Sequence, residues 1–177
     1  MELTRRDAAA ALAALGAGGV AAVTVGGDTE PDGDRSADID ETAITETMVA
    51  AAEVVYPDTV TGIDDFVSTF LDSRLAGESH AAGVDDAVAA VNNRAQSWYD
   101  DQFAALDADT RDSLLREMGT DTAEPRREGS TAEKVRYYIV NELLLALYST
   151  PTGGELVGIE NPQGHPGGAQ SYQRGPR

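Results

Sequence analysis

The sequence STAEKVRYYIVNELLLALYS, residues 130–149, decides the fold of this chain. Ser130 and Glu133 have the spacing of a capping box, which predicts a helix that begins at this point. From Val135 onward the run is apolar apart from its tyrosines and three polar side chains, Arg136, Asn141 and Glu142. Apolar residues therefore cover most of the helix surface, as is typical of a helix enclosed by its neighbours. We expect this helix to be the centre of the fold.

The sequence that follows, PTGGELVGIENPQGHPGGAQSYQRGPR, contains seven Gly and four Pro in its 27 positions. This composition argues against a regular helix or a central strand and predicts an extended tail over residues 151–177. The four formal charges of the tail cancel, although the whole chain carries a net charge of -18. We expect such a neutral segment to lie against another surface, either of this chain or of a partner.

Four further helices are predicted from apolar residues at helical spacing, at about residues 41–56, 63–76, 84–103 and 108–118. Pro57 ends the first helix, Gly77 is expected to cap the end of the second, and Asp107 is expected to cap the start of the fourth. In the third helix Trp98 falls on the apolar stripe. Alternating strand patterns are absent, so the predicted fold is all-α, an irregular bundle of about five helices around the helix that starts at Ser130.

The N-terminal stretch, residues 1–27, places Arg5 and Arg6 before an apolar run of mostly Ala and Gly. This order looks like a twin-arginine (Tat) export signal, and the alternative is an ordinary Ala-rich helix. Ala and Gly contribute little transfer free energy, so we do not expect stable membrane spanning. Residues 28–40 form an acidic linker, ahead of a helical domain at residues 41–150. A calcium loop in the linker is disfavoured, because Ile39 stands where a bidentate Glu is needed.

The charge balance excludes several classes of function. The chain has 31 acidic residues against 13 basic ones, which disfavours binding to nucleic acid or to an anionic membrane. The same balance resembles proteins adapted to high salt. Cysteine is absent, so the fold contains no disulfide, thiolate metal site or iron-sulfur cluster.

Few residues are suited to catalysis. His80 is expected in a solvated loop between helices, and His165 in a Gly- and Pro-rich loop of the tail. Together they have no spacing typical of a zinc site. Glu142 is either a buried general base or, as we favour, a carboxylate paired with an arginine or with backbone amides. The aromatic residues near these positions are expected to belong to the core and not to a cofactor platform. They are Trp98, Tyr99, Tyr137, Tyr138 and Tyr148.

The order of the motifs resembles the gluconate 2-dehydrogenase subunit 3 family. The resemblance rests on Arg5-Arg6, on AEVVYP at residues 52–57, and on VNELLLALYSTPTGGELVGIENPQGHPGG at residues 140–168. It covers roughly residues 41–177.

The resemblance implies a small, non-catalytic subunit with no cofactor of its own. Its partner would be a large FAD-containing subunit of the glucose-methanol-choline type that oxidises a sugar or sugar acid, with a cytochrome c as possible acceptor. The Tat machinery would carry the folded complex to the outer face of the cell membrane, and the small subunit would assist export, maturation and stability. Docking is assigned to the end of the central helix and to the tail, at Tyr148, Ser149, Pro151, Gly153, Gly154, Gly158, Asn161, Pro162, Gly164, His165, Pro166 and Tyr172.

The sequence is also compatible with two other functions. A free-standing exported enzyme would use Glu142 or His165 as its acid-base residue, and would need a pocket that joins the two side chains. An exported structural domain would have no dehydrogenase partner.

Overall fold

The computed structural model of the protein describes residues 1–15 and 39–158. Within these ranges the chain is helical and forms no strand beyond a single bridge between Glu2 and Thr61, so the all-α prediction is confirmed. The helices are α1 (Arg5–Ala14), α2 (Glu41–Val55), α3 (Ile63–Arg74), α4 (Glu78–Tyr99), α5 (Ala108–Glu117), α6 (Thr131–Val135), α7 (Glu142–Tyr148) and α8 (Pro151–Leu156). A 3-10 turn spans Phe103–Ala105, and a π-helical segment, Arg136–Asn141, joins α6 to α7.

The stretch from α6 to α7 lies at the centre of the bundle, as its apolar composition predicts. Ser130 and Glu133 form the expected capping box. The π-helical segment was not predicted, because apolar residues four positions apart are also typical of an ordinary α-helix. Buried apolar residues recur every four positions, at Val135, Ile139, Leu143 and Leu147. Such a row drifts by about 40° per step around an α-helix of 3.6 residues per turn, and a π turn compensates for the drift.

Helix α2 shares the centre with this stretch. It packs against α3, α4, α5, the 3-10 turn, the π-helical segment and α7. Ile44, Met48 and Ala52 are fully buried on its inner face. The helix ends before Pro57, as predicted, and the Tyr56 hydroxyl then donates a buried hydrogen bond of 2.9 Å to the Leu143 carbonyl. The AEVVYP motif thus ties the end of α2 to the start of α7.

The predictions for α3 and α5 are confirmed, and that for α4 needs correction. Helix α4 begins at Glu78, well before residue 84, because Gly77 has an extended backbone and precedes α4 instead of capping α3. It ends at Tyr99, so that Phe103 lies in the 3-10 turn, where it is fully buried. Trp98 is 40 % exposed and not part of the core. The Arg94 guanidinium covers its ring at 4.6 Å from the centroid.

The first residues of the predicted extended tail form helix α8, which corrects that prediction. Thr150 caps the helix by accepting a hydrogen bond from the Gly153 amide, and Pro151 occupies the first turn, where no amide donor is needed. Gly153 is buried against α7, and a Cβ atom there would lie 1.9 Å from the Leu147 carbonyl oxygen. The glycines of this segment, which argue against a helix by propensity, therefore allow α8 to pack closely against α7. Residues 159–177 lie outside the described part of the chain.

Residues 1–15 pack onto the bundle. Helix α1 contacts α3, α7 and α8, and Leu3, Ala8 and Ala11 are buried. None of the helices in the two described ranges is long and apolar enough to cross a membrane. The rest of the signal-like run and most of the acidic linker, including the calcium-loop positions from Asp28 to Gly33, lie outside the described residues.

Candidate functional site

Glu142 is the buried charge around which the candidate site is built. It begins α7, next to the π-helical segment, and is 5 % exposed. The Arg74 guanidinium, from the last turn of α3, donates through Nε to Glu142 Oε1. His80, from the first turn of α4, places Nε2 3.5 Å from the same oxygen. Three helices therefore converge on one carboxylate, and the interpretation of Glu142 as a carboxylate paired with an arginine is confirmed.

The surroundings keep this carboxylate ionised. Burial alone raises the pKa of Glu142, since it penalises the charged form. Polar contact with His80 and with Arg74, together with the positive charge of Arg74, outweighs burial and leaves the pKa below its ordinary value. A carboxylate held by a guanidinium is a weak proton acceptor. This arrangement favours a structural ion pair over a general base.

The expectation of a solvated His80 is wrong. Its side chain is 17 % exposed, and its ring lies 5.7 Å from the Tyr138 ring. His80 belongs to α4 because that helix starts earlier than predicted. Gly83, one turn further along α4, leaves room for Tyr138, since a Cβ atom there would lie 2.2 Å from Tyr138 Cζ. A Gly followed by an acidic residue, as at Gly77 and Glu78, is a helix-start signal that would have placed His80 in a helix.

A cavity of about 430 Å³ opens beside the ion pair. The residues that line it are Arg74, Pro125, Tyr137, Asn141, Glu142, Leu144, Leu145 and Tyr148. Leu145 is 47 % exposed and Tyr148 is 42 % exposed, so the cavity has an accessible apolar rim. We call these two residues and the cavity the Tyr148 face. Asn141 and Glu142, the two polar residues predicted within the central helix, both reach it.

The aromatic residues divide between core and surface. Tyr138 is buried, and Tyr137 is half-buried with its ring in edge-on contact with that of Tyr138. Tyr99, Trp98 and Tyr148 are exposed. The prediction that all five belong to the core is thus correct only for the pair at the centre.

The residues assigned to docking occupy different positions. Tyr148 and Gly158 are exposed, Ser149 and Pro151 are half-buried, and Gly153 and Gly154 are the buried residues of α8. The other docking residues lie outside the described part of the chain: Asn161, Pro162, Gly164, His165, Pro166 and Tyr172. A pocket that joins Glu142 to His165 therefore stays a prediction of the free-standing enzyme.

Arg5 and Arg6 stand exposed in the first turn of α1, where Arg5 pairs with Asp65 at 3.3 Å. Among residues 1–15 and 39–158 there is no group of three His, Asp or Glu side chains of a kind that holds a metal ion.

The sequence model of the family described as gluconate 2-dehydrogenase subunit 3 matches residues 43–167, more than half of the chain. The protein belongs to the gluconate 2-dehydrogenase subunit 3 family. The resemblance drawn from the motifs is thereby confirmed. No curated protein and no solved structure matches the chain.

The matched range of this subunit 3 family member contains the whole candidate site. It begins inside α2 and includes α7, α8 and part of the tail beyond the described residues. Helix α1, with Arg5 and Arg6, precedes the matched range. Arg74 and His80 are the site residues that reasoning from the sequence missed, because the pairing of Glu142 depends on how α3 and α4 pack against α7.

Proposed function

We propose that this chain is a non-catalytic accessory subunit that binds the larger, catalytic subunit of a dehydrogenase. The observation that carries the proposal is the family match over residues 43–167, because the family is named as a subunit of gluconate 2-dehydrogenase. The ion pair of Glu142 supports it, because this one acidic side chain in the cavity lining already accepts a hydrogen bond from Arg74. The chain contributes binding surface and not reactive groups.

The partner we propose is a flavoprotein of the glucose-methanol-choline type that holds FAD and oxidises a sugar or sugar acid. A cytochrome c is the proposed onward acceptor. Arg5 and Arg6 support export through the Tat machinery, which transports folded proteins and so suits a subunit that accompanies a flavin-loaded partner. The complex would then work at the outer face of the cell membrane. In this role the small subunit aids export, maturation and stability of the large one.

The Tyr148 face is the proposed contact with the large subunit. Exposed aromatic side chains such as Tyr148 are typical of protein interfaces, and Tyr is enriched among the residues that dominate binding energy. Arg74 and Asn141 in the adjoining cavity offer hydrogen-bond donors to a partner. The neutral tail follows directly after α8 and would extend the contact.

Co-purification tests the proposal. The tagged chain is expressed with the genes that neighbour its own, and the bound material is analysed for a large flavoprotein and for FAD absorbance. We expect a flavoprotein to be retained. Replacing Leu145 and Tyr148 by Ala should weaken binding by about 10- to 100-fold, in line with the loss of two central interface side chains.

Tyr99→Ala is the matched control, because Tyr99 is 38 % exposed, close to the value for Tyr148, but lies on α4 away from the cavity. A tagged chain that purifies alone at the salt concentration of its host would contradict the proposal. Equal loss of binding in Tyr99→Ala and in Tyr148→Ala would contradict the assignment of the face.

A second candidate function is a free-standing enzyme, favoured by one observation, the cavity that reaches Glu142. It predicts that the isolated chain turns over a substrate and that Glu142→Gln abolishes this activity while the fold is retained. The accessory role predicts no activity in the isolated chain and a defect in stability or binding instead.

A further inference from the structure

Residues 1–3 bind to a loop that is shaped to receive them. The Leu3 amide donates to the Thr61 carbonyl at 2.7 Å, and the Thr61 amide donates to the Met1 carbonyl at 2.8 Å. The next residue, Gly62, has a left-handed backbone with φ of 75°, and a Cβ atom there would lie 2.2 Å from the Leu3 carbonyl oxygen. Only glycine at this position both adopts the turn and admits the incoming chain.

Helix α1 continues this contact with its apolar side. Leu3 is 2 % exposed, and Ala8 and Ala11 are fully buried among core residues. Leu12 and Leu15 pack against the same core. The two alanines let α1 approach α3 closely. Water is therefore excluded from the side of α1 that faces the bundle, although the helix is only weakly apolar in composition.

A polar contact fixes the register of α1 on the bundle. Asp7 is 8 % exposed, and its Oδ2 accepts hydrogen bonds from the Thr4 amide and hydroxyl in a capping box. Its other oxygen, Oδ1, accepts a hydrogen bond of 3.1 Å from the Thr152 hydroxyl of α8. Oδ1 of the buried carboxylate is therefore paired by α8, whereas Oδ2 is paired within α1 itself. The ion pair of Arg5 with Asp65 adds little, because both side chains are more than two-thirds exposed.

We infer that residues 1–15 are a reversibly docked segment, and that docking on α3 and α8 withholds the apolar part of the twin-arginine signal from the export machinery, while Arg5 and Arg6 stay exposed. The physical reason is exclusion. Ala8 and Ala11 belong to the apolar run that an export signal presents to the membrane, and the same side chains cannot lie in the protein core and in the membrane together. Export then requires undocking, and the fraction exported depends on the equilibrium between docked and free α1. The inference rests on the proposed export function.

The test compares the full-length chain with two variants that act at separate contacts. Thr152→Val removes the hydrogen bond to Asp7 with little change of shape, and Gly62→Ala blocks the approach of Leu3. Gly119→Ala is the control, because it is also a Gly-to-Ala change at a left-handed φ, of 76°, but meets no atom within 4 Å. Hydrogen exchange of the α1 amides is measured first. We expect protection in the wild-type chain and in the control, and exchange at least about tenfold faster in both variants, with α2 and α7 amides unchanged.

Export of the same full-length chains is measured in parallel by cell fractionation, together with an Arg5→Lys, Arg6→Lys double variant. We expect the released variants to be exported severalfold more completely than wild type, and the lysine variant not at all. Release without increased export would overturn the gating while leaving the export function intact. Unprotected α1 amides in the wild-type chain would overturn the docking. Lack of export in every chain, or equal export of the lysine variant, would instead contradict the proposed export route itself.

Discussion

At the residue scale, the Arg74 to Glu142 pair contains the most deeply buried carboxylate among the arginine-carboxylate pairs of the described residues. Arg74→Ala leaves a carboxylate that is 5 % exposed with only His80 nearby, and the free energy of unfolding should fall by about 2–4 kcal/mol. Arg74→Met combined with Glu142→Leu should cost less than Arg74→Ala alone, because no uncompensated charge remains buried. Urea unfolding of the three proteins measures both differences.

The matched control is Arg116→Ala, which breaks a surface pair with Asp112 whose side chains are 62 % and 45 % exposed. It should cost far less than Arg74→Ala, because water screens an exposed ion pair. A loss in Arg116→Ala as large as that in Arg74→Ala would contradict the view that burial makes the Glu142 pair important.

The same pair predicts a pH dependence. The pKa of Glu142 is lower in the folded protein than its ordinary value of 4.5, so the folded state binds fewer protons at this site than the unfolded state. The resulting stabilisation is complete above pH 4.5 and is lost as the pH falls through the folded pKa. Glu142→Gln should therefore show a shallower decrease of unfolding free energy between neutral pH and acid. Parallel decreases in wild type and variant, measured by urea titration at each pH, would argue against a lowered pKa.

At the element scale, the docking of α8 on α7 depends on the absence of one side chain. Gly153→Ala would place a Cβ atom against the Leu147 carbonyl, which is backbone and cannot rotate away. We expect α8 to separate from α7, with a loss of about 1–3 kcal/mol as in other overpacked sites. Thermal unfolding gives the loss, and hydrogen exchange of residues 151–158 shows whether α8 is displaced.

Gly77→Ala serves as the control, because a Cβ atom at Gly77 meets no atom within 4 Å and its φ is negative, at -96°. It should cost about 0.5–1 kcal/mol, because Gly77 is the N-cap of α4 and Ala is a poorer N-cap residue than Gly, and it should leave the exchange of residues 151–158 unchanged. Similar losses in both variants would indicate a general intolerance of Gly replacement.

Most elements could be predicted because their signals are local. Caps and apolar stripes give α2, α3, α5 and the start of α6, and the motifs give the family. Helix α8 was missed because Gly and Pro lower helix propensity, whereas here tertiary packing on α7 outweighs propensity. The pairing of Glu142 with an arginine was foreseen, but Arg74 and His80 depend on long-range packing. The docking of α1 was missed for the same reason, since alanines give no strong apolar stripe.

At the scale of the whole molecule, the net charge determines how the stability of the fold depends on salt concentration. With a net charge of -18, repulsion between acidic side chains opposes the compact state. Raising chloride from about 0.1 M to about 1 M shortens the Debye length from about 10 Å to about 3 Å and should stabilise the fold. Each 1 kcal/mol gained should raise Tm by about 2–4 °C in a domain of this size.

Chloride is the appropriate salt for this experiment, because sulfate also strengthens apolar burial and would confuse the two effects. A Tm that stays constant or falls as the chloride concentration rises would mean that charge repulsion contributes little to the free energy of unfolding. The matched control is a series of sucrose concentrations. Sucrose stabilises folded proteins because it is excluded from their surface, but it does not screen charges.

The position of Trp98 has a practical consequence for any laboratory that studies this subunit. It is the only tryptophan of the chain, and it is partly exposed beneath the Arg94 guanidinium. We therefore expect its fluorescence to report on one patch of the α4 surface and to resemble that of a solvent-accessible indole. Emission spectra would change little when the interior melts, and circular dichroism or calorimetry should follow unfolding instead.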